Sequence, residues 1–468
     1  MSTTLTKQHK DSGSFRDPAG FIFSEGDEIY RFISASYYPD YKNLKTSGLY
    51  QELIDKGYLI PFEEVEKTST SEGETLVIKP LKVPFISYPY EWTFSQLKDA
   101  AKLTLEIQKI SLKYGVQLKD ASSYNIQFIG STPVFIDTLS FEKLDERVMW
   151  RAYKQFCQHF LAPLTICSFC DPRMKSLFVS NLDGVPLDLA KRLIPKRGYV
   201  SPARFLHLWL HELFQKQGSI SKQAAFEKHS SKKSSSSAFG LVESLLSGIK
   251  NLKRKQELSV WKSYYQGDSY QEEAFEEKKN IVGNLLSDLK PKILWDLGSN
   301  DGFFTEMTAK YCQYSVAFDL DLTCIENMYG RLRQQKNTSI LPLHIDIANP
   351  SPGIGWESGE RKSLIERGPC DVAIALALIH HLLVSAGIPL NKLVLFFQRI
   401  CHQLIIEYVP PSDPKFRQIC QTNPNDFAFF TEDAFISAFS ESFVLKARIP
   451  IGKSSRVLYH FQTKRREL

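Results

Sequence analysis

The residue types best suited to binding a nucleoside-like ligand are concentrated in one short stretch, residues 292–304. An apolar run ends there at Asp296, and glycines follow at positions 298 and 302. A strand that leads through a glycine-containing turn into a helix brings backbone amides close to an adenosine-bearing ligand. A Cβ atom at Gly298 or Gly302 would hold such a ligand away or prevent the turn. We therefore expect a strand, a ligand-binding turn that includes Asn300, and then a helix.

Acidic residues mark the ends of further apolar runs in the same half of the chain. Asp319 ends a second run 23 residues after Asp296, close to the spacing of about 20 at which a second strand presents an acid to a ribose. Asp346 ends a third run, Asp371 directly precedes a fourth, and Glu407 ends a fifth. Short apolar strands with polar residues near their ends are typical of an open sheet that binds its ligand at the carboxyl edge. The C-terminal half is thus predicted to be an α/β domain.

From about Trp261 to its end, the chain resembles the class I S-adenosylmethionine-dependent methyltransferases. The resemblance lies in the combination of the Asp-x-Gly-x-Asn-x-Gly turn at 296–302 with the strands that follow it. It implies a Rossmann-like sheet of seven strands, closed by an antiparallel pair at 443–451 and 456–463, and S-adenosyl-L-methionine as the cofactor. A dinucleotide-binding domain shares the strand-turn-helix and the ribose acid, but its G-x-G-x-x-G is absent here.

The resemblance also implies which residues surround the cofactor. The turn holds the methionine part, Asp319 accepts both ribose hydroxyls, and Asp346 lies where the family contacts the adenine amino group. Asp321 is expected to cap the next helix rather than to bind the ligand. In the family, an aromatic residue of the segment before the first strand commonly touches the carboxylate end of the cofactor. The candidate cofactor-binding residues are Asp296, Gly298, Asn300, Gly302, Asp319, Asp346 and Asp371, and the candidate aromatic residues are Trp261, Tyr264, Tyr265 and Tyr270.

Methyl transfer needs mainly the alignment of the acceptor with the methyl group and the sulfur, with a base where the acceptor must lose a proton. His380 and His381 follow the fourth strand, in the region that lines the methyl-transfer site in the family, and are the candidate catalytic residues. A histidine pair at this place can equally pack against the sheet. Glu407, at the end of the fifth strand, is an alternative base.

In the N-terminal half, Asp120, Asn125 and Asp137 have the spacing of a kinase-type catalytic and metal-binding hairpin. Lys79, on a predicted strand, would be the phosphate-pairing lysine. About residues 20–215 therefore resemble a reduced kinase or aminoglycoside-phosphotransferase-like fold, an α+β domain. The chain departs from that pattern, because no glycine-rich loop precedes Lys79 and Phe-Gly does not follow Asp137. Asp120 and Asn125 can alternatively cap turns.

Hydrophobic patterning predicts the main elements of this N-terminal half. Two strands around a Glu-Gly turn are expected within residues 21–33, and a helix is expected from 41 to 56, closed by glycine. Strands are further predicted at 76–79 and 85–88, and an amphipathic helix at 95–114.

The chain of 468 residues is long enough for two or three domains. A run of serines and lysines at 230–237 cannot bury apolar surface, and it predicts a flexible connector. The predicted organisation is an N-terminal α+β domain (1–225) that selects the acceptor, a Ser/Lys-rich linker (226–257) and a methyltransferase domain (258–468).

Composition argues against several classes of protein. The formal net charge of +6 is small for this length, which argues against a nucleic-acid partner. No run approaches the roughly 18 apolar residues of a membrane span, and the polar N-terminus lacks the core of a signal peptide, so a cytoplasmic protein without a membrane partner is predicted. The cysteines are scattered, and the lone pair Cys167 and Cys170 has no further ligands at metal spacing, so no metal site is expected.

The predicted activity is S-adenosylmethionine-dependent methyl transfer to an acceptor that the sequence does not identify. Two alternatives stay open. One is a bifunctional methyltransferase and small-molecule kinase, and the other is a non-catalytic binding module built on these folds. No feature of the sequence indicates an oligomeric state.

Overall fold

The computed structural model describes residues 9–70, 73–210, 235–255, 272–421 and 427–464. The chain divides into two compact units. Unit 1 consists of Met1–Phe128, Pro133–Gln256 and Ile354–Arg361, and unit 2 consists of Ile129–Thr132, Glu257–Gly353 and Lys362–Leu468. Each unit therefore includes one short segment that lies in sequence within the other.

Unit 1 is built on strands that pair with antiparallel neighbours. The first five are β1 (His9–Lys10), β2 (Gly20–Glu25), β3 (Glu28–Ile33), β4 (Phe62–Thr70) and β5 (Gly73–Pro80), and they form one sheet in the order β1-β2-β3-β5-β4. Shorter strands follow, β6 (Val116–Leu118), β7 (Ile126–Ile129), β8 (Thr132–Phe135) and β9 (Phe141–Lys143), with β6 paired to β9 and β7 to β8. The strands predicted within 21–33 are confirmed. The predicted strand at 85–88 is wrong, because the amide of Ser87 bonds to the side chain of Gln127 and not to a neighbouring strand.

The helices of unit 1 surround these strands. The α-helices described in unit 1 are Tyr38–Thr46, Leu49–Asp55, Phe94–Lys113, Tyr153–Phe156, Ala162–Phe169, Leu177–Ser180, Leu187–Leu193, Pro202–Arg204 and Ser235–Lys250. The helix predicted at 95–114 is confirmed, and Thr93 with Gln96 forms a capping box at its start. The single helix predicted at 41–56 is two helices, because Gly48 between them has φ +85°, a left-handed angle that ends a helix. Unit 1 is thus an α+β unit, and its predicted kinase-like fold is not confirmed.

Part of the predicted linker 226–257 is a packed helix. The helix Ser235–Lys250 buries an apolar face, in which Ile249 is fully enclosed. At its C-terminal end the ammonium group of Lys98 donates a hydrogen bond of 2.9 Å to the carbonyl of Lys250. Such a bond satisfies a carbonyl that the helix leaves unpaired, and places a positive charge at the negative end of the helix dipole. This helix overlaps the connector predicted at 230–237 only in residues 235–237, and the domain boundaries stay a prediction.

Unit 2 contains one sheet of seven strands. The strands are β10 (Ile293–Leu297), β11 (Tyr314–Asp319), β12 (Ile340–His344), β13 (Cys370–Ala375), β14 (Cys401–Tyr408), β15 (Phe443–Pro450) and β16 (Val457–Thr463). Their order in the sheet is β12-β11-β10-β13-β14-β16-β15. The five strands β10 to β14 are parallel, and β16 pairs antiparallel with both β14 and β15. The predicted seven-stranded sheet with a closing antiparallel pair is confirmed, in a mixed α/β unit.

The helices of unit 2 connect these strands. They are Glu272–Leu289, Phe303–Thr308, Leu322–Gln334, Leu390–Ile400, Pro414–Cys420 and Glu432–Ser442, with a π-helical turn at His381–Ser385. Val282 and Leu286 of the first helix share a buried cluster with Leu294 of β10 and Ile374 of β13. The central strands are buried on both faces. This packing holds β10 in the sheet and thereby positions the turn at its carboxyl end. Across the described residues, no helix has the length and apolar content needed to cross a membrane.

Candidate active site

β10 ends in a turn that contains three left-handed backbone conformations. Gly298 has φ +76°, Asn300 has φ +53° and Gly302 has φ +88°. The amide of Gly298 donates to the carbonyl of Phe318 in β11 at 2.9 Å, so the start of the turn is tied to the neighbouring strand. Left-handed angles are open to glycine without strain and to asparagine with little strain. The stretch therefore forms the predicted strand, turn and helix.

The space beside the turn also requires glycine. A Cβ atom on Gly302 would lie 2.5 Å from Cε of Met328, and one on Gly298 would lie 3.1 Å from Cδ1 of Leu378. Leu378 follows β13, so this contact brings the segment after β13 over the turn. The backbone angle and the close approach thus disfavour a side chain at both positions.

Asp319, the last residue of β11, holds the turn from the neighbouring strand. One oxygen of its carboxyl group accepts the amide of Asn300 at 2.7 Å, and the other accepts the amide of Asp321 at 2.7 Å. Burial raises the pKa of Asp319 to about 6. Asp321 caps the helix Leu322–Gln334 by accepting the amide of Thr323, so its predicted role as N-cap is confirmed.

Asp296 lies beneath the turn and is buried. Its carboxyl group accepts a hydrogen bond of 2.5 Å from the hydroxyl of Thr305, which lies in the helix that follows the turn. Burial raises the pKa of Asp296 to about 7, and the nearby Asp319 adds to the shift. Beside it, the hydroxyl of Ser299 is buried and has no hydrogen-bond partner among the described residues. Asp296 thus positions the helix, while Ser299 has bonding capacity that the described residues do not use.

The structure separates the other two acidic candidates. Asp346 follows β12 at the carboxyl edge of the sheet, the edge of the turn, and accepts the amide of Ala348 at 2.8 Å. Asp371 lies at the opposite edge, because it is the second residue of β13 and accepts the amide of Ile293, the first residue of β10, at 2.8 Å. Five residues of extended strand separate that level from Gly298, a distance of about 16 Å. This placement argues against Asp371 in the predicted cofactor-binding set, since the amino ends of parallel strands lie away from their carboxyl ends.

His380 and His381 lie after β13 at the carboxyl edge, with their ring centroids 4.3 Å apart. His380 is fully buried, and neither ring nitrogen has a hydrogen-bond partner among the described residues. Its ring stacks at 6.2 Å against Phe416. Burial lowers the pKa of His380 well below its ordinary value, and lowers that of His381 to about 4. Both imidazoles are therefore neutral at neutral pH.

Glu407, the alternative base, belongs to a buried group of four charged side chains. One carboxylate oxygen accepts the ammonium of Lys278 at 2.6 Å, and the other lies 3.3 Å from the guanidinium of Arg456. Arg456 in turn forms a forked pair with Asp413, at 2.7 and 3.1 Å. The two positive and two negative charges balance, and each is largely shielded from water. A carboxylate held in this way is a poor proton acceptor, so the structure does not support Glu407 as a base.

Sequence reasoning missed Lys278, Arg456 and Asp413. A signal existed for Lys278, which stands on the buried face of its helix, four residues after Ala274 and four before Val282. A lysine on the apolar stripe of an amphipathic helix is buried only when it has a partner. Nothing in the local sequence of the other two residues indicates their contacts.

In unit 1, Asp120, Asn125 and Asp137 do come together. The carboxylate of Asp137 is paired with the guanidinium of Arg31 and accepts the hydroxyl of Ser140. Ser140 also accepts the amide group of Asn125 at 3.2 Å. Burial alone would raise the pKa of Asp137, but Arg31 and the hydrogen bonds lower it below its ordinary value. The carboxylate of Asp137 is thus satisfied by neighbouring side chains.

Lys79 does not join this cluster. Its ammonium lies 3.4 Å from the carboxylate of Glu28, and both side chains are partly exposed. Arg31 lies opposite Ile78 on the neighbouring strand, so these two side chains share one face of the sheet. Successive residues of a strand point to opposite faces, so Lys79, which follows Ile78, projects from the other face. Among the described residues, no group of three or more histidine, cysteine, aspartate or glutamate side chains could hold a metal ion. The candidate aromatic residues Trp261, Tyr264, Tyr265 and Tyr270 lie outside the described residues.

Comparison with known proteins gives one close relative and several distant structures. No protein-family model matches the chain. The N-methyltransferase NodS from Bradyrhizobium japonicum WM9 in complex with S-adenosyl-L-homocysteine is 13% identical, covers 44% of this chain and 98% of its own, and has a TM-score of 0.32. The bifunctional kinase-methyltransferase WbdD is 16% identical, covers 46% of this chain and 45% of its own, and has a TM-score of 0.30. Because both TM-scores lie below 0.5, neither structure decides the fold or activity of this chain.

A relative in sequence is the nodulation protein NoeA of Rhizobium meliloti (strain 1021). The two are 32% identical over 459 residues, which span 96% of this chain and 95% of that protein. Since the match runs through both units and nearly the full length of each protein, the chain belongs to the same family as nodulation protein NoeA.

Proposed function

We propose that unit 2 binds S-adenosylmethionine at the turn after β10 and transfers its methyl group to an acceptor held beside His380. The observation that carries this proposal is the contact between Asp319 and the amide of Asn300. Each oxygen of an ionised carboxylate has two lone pairs. Each of the two oxygens of Asp319 uses one lone pair to accept a backbone amide. The remaining pairs suit the two hydroxyls of a ribose.

The residues around the turn fit the remainder of this cofactor. The left-handed backbone at Gly298 and Gly302 forms a turn without side chains at these positions, and the buried hydroxyl of Ser299 offers an unused hydrogen bond. When bound, the sulfonium supplies a methyl group with a good leaving group, so the protein has mainly to align the reactants. The proposed cofactor-binding set is Asp296, Gly298, Asn300, Gly302, Asp319 and Asp346.

Isothermal titration of the intact protein with S-adenosylmethionine tests the proposal. Asp319→Ala should weaken binding at least about tenfold, since hydrogen bonds to charged groups contribute about 1.5–3 kcal/mol each. The matched control is Asp371→Asn, which keeps an acceptor for the amide of Ile293 at the other edge and should bind normally. Absence of heat with the unmodified protein would refute the proposal, as would equal losses in the two variants. Binding without methyl transfer to any acceptor would identify a non-catalytic binding module.

Phosphotransfer by unit 1 is the alternative activity, and no contact of Asp137 favours it. Arg31 and Ser140 already bond to the carboxylate that would have to hold magnesium. Magnesium-dependent nucleotide binding by the intact protein, lost in Asp137→Ala, would establish this second activity.

A further inference from the structure

His380 combines complete burial with unused hydrogen-bonding groups. Both nitrogens of its ring lack a partner among the described residues, although the side chain is 0% exposed. Leaving a buried polar group unsatisfied costs about 1–3 kcal/mol, so proteins rarely retain one without a reason. The residue stands two positions after Leu378, which lies over the glycine turn. An unsatisfied imidazole at this place therefore indicates a ligand group that bonds to it.

The charged groups that face His380 are already paired with one another. His381 comes from its own segment and Phe416 from the helix Pro414–Cys420. Arg456 and Lys278 contribute the nearby positive charges, from the start of β16 and from the first helix of unit 2. Their counter-charges lie within 3.3 Å, Asp413 and Glu407 for the arginine and Glu407 for the lysine.

This pairing restricts the chemistry of the acceptor. A carboxylate or phosphate acceptor would need a positive charge with no counter-charge, and a protonated amine would need an unpaired carboxylate. Burying an ion without such a partner costs several kcal/mol. A neutral imidazole has one nitrogen that donates and one that accepts a hydrogen bond. Its best match is a neutral group that can both donate and accept, as a hydroxyl does.

We propose that the methyl acceptor is an uncharged hydroxyl group, bound by the imidazole of His380. This inference rests on the proposed function of unit 2. In the reaction a bond forms between the hydroxyl oxygen and the methyl carbon, while the bond from that carbon to sulfur breaks and its electron pair stays on sulfur. The products are a methyl ether, the neutral thioether and a proton. The proton passes from the hydroxyl to a ring nitrogen of His380 and, as the products leave, to water.

The second histidine packs beside the first. Its ring lies 4.3 Å from that of His380, and its side chain is partly exposed. Burial lowers the pKa of both rings, that of His381 to about 4. Neither ring therefore retains the proton at neutral pH, and both are ready for the next turnover. The acceptor must displace side chains that now enclose His380, Phe416 among them.

The first experiment identifies the atom that is methylated. The intact protein is incubated with S-adenosylmethionine carrying a ¹³C-labelled methyl group and with a small-molecule extract of the cells that make the protein. The ¹³C shift of the product distinguishes a methyl ether from a methyl ester and from an N-methyl group. The inference expects a methyl ether. A methyl ester, an N-methyl product or no labelled product, with S-adenosylmethionine bound normally, overturns it, whereas failure to bind S-adenosylmethionine overturns the proposed function instead.

Variants then test the role of His380. His380→Gln keeps a neutral polar side chain and should lower kcat by about 10²–10⁴-fold, the range for loss of a positioned proton acceptor. The affinity for S-adenosylmethionine should change less than about twofold. His402→Gln is the control, because His402 is exposed on β14 and outside the site. Nitrogen-15 spectra of the histidine rings provide a second readout. We expect the ring of His380 to stay neutral when the pH is lowered below about 6.5, the ordinary pKa of histidine. An unchanged kcat in His380→Gln, or an imidazole that titrates normally, contradicts the inference.

Discussion

In the ligand-free protein, the carboxyl group of Asp319 is buried at the end of β11, and burial raises its pKa to about 6. Only the ionised form can accept hydrogen bonds from both hydroxyls of a ribose while holding the amides of Asn300 and Asp321. We therefore expect the affinity for S-adenosylmethionine to increase with pH up to about 6 and then to level off. Below that pH, titration calorimetry should show a loss of up to about tenfold per pH unit.

Two controls separate this effect from general acid destabilisation. Asp319→Asn should bind more weakly and should show no step near pH 6, whereas Asp296→Asn should keep it. The stability of the ligand-free protein should change in the opposite direction. Because the folded pKa of Asp319 is above its unfolded value of 3.8, its contribution to stability is present below that value and is lost as pH rises through about 6. A fall in affinity with rising pH would contradict the assignment of Asp319 to the ribose.

Gly302 tests the backbone of the turn. Gly302→Ala places a side chain on a residue with φ +88° and within 2.5 Å of Met328. The left-handed angle costs a residue with a Cβ atom about 1–2 kcal/mol, and the methionine can move only in part. We expect a loss of about that size in the free energy of unfolding and about tenfold weaker binding of S-adenosylmethionine. Urea unfolding and calorimetry measure the two effects.

Gly330→Ala is the matched control for that substitution. Gly330 lies inside the helix Leu322–Gln334, and a Cβ atom there meets nothing within 4 Å. Alanine is favoured over glycine in a helix interior by about 1 kcal/mol, so this variant should be slightly more stable and should bind normally. Equal behaviour of the two alanine variants would show that the turn does not depend on its backbone angle.

At the scale of elements, the four buried charges join the first helix of unit 2 to β14 and β16. Glu407→Gln removes the counter-charge of Lys278 and one partner of Arg456, and leaves an uncompensated positive charge in the interior. Breaking a buried ion pair from one side costs about 3–5 kcal/mol. We expect a decrease of that order in the free energy of unfolding, measured by urea denaturation of the intact protein.

Glu276→Gln provides the control from the same helix. Glu276 pairs with Lys279 at 2.6 Å, but it is more than half exposed, and exposed pairs contribute about 0–1 kcal/mol. The variant should unfold nearly as the unmodified protein does. If Glu407→Gln were equally mild, Glu407 would not be the charge that neutralises this part of the interior.

Local patterns in the sequence were enough for the turn and the sheet, because each depends on neighbouring residues. The alternation of apolar runs with Gly298, Gly302 and Asp319 predicts the strands and the turn that the structure contains. The sequence did not show that Asp371 lies at the edge opposite the turn, because an acid beside a strand has the same local pattern at either end of that strand. The contact of Lys278 with Glu407 joins residues 129 positions apart, and no local pattern encodes such a pair.

At the scale of the whole molecule, the fold does not follow the order of the chain. After Gly353 the chain leaves unit 2, contributes Ile354–Arg361 to unit 1 and returns at Lys362. A linear division at 225 and 257 cannot describe such a path, because eight residues of the C-terminal half complete the N-terminal unit. The segment carries two consecutive left-handed residues, Glu357 and Ser358, an arrangement that surrounding contacts must hold in place.

One of the contacts that hold this segment in unit 1 is the forked pair between Arg16 and Glu360, at 2.7 and 2.9 Å. Glu360 also accepts the amide of Trp356, and its side chain is 1% exposed. Arg16→Ala would leave that carboxylate enclosed without its main partner, which costs about 1–3 kcal/mol. Hydrogen exchange should accelerate at the amides of Trp356 and Arg361 and stay unchanged in β10. Arg147→Ala, which removes a fully exposed arginine of unit 1, is the control and should change nothing measurable.

The pH dependence of this effect identifies the carboxylate as its source. Although burial favours the protonated form, the hydrogen bonds from Arg16 lower the pKa of Glu360 below its ordinary value of 4.5. A lowered carboxyl pKa stabilises the fold above that value, and the contribution is lost as pH falls through the folded pKa. The difference in stability between the unmodified protein and Arg16→Ala should therefore be full at neutral pH and disappear in acid. A difference that persists in acid would mean that Arg16 acts through packing of its side chain, and that the ion pair does not hold Ile354–Arg361 in unit 1.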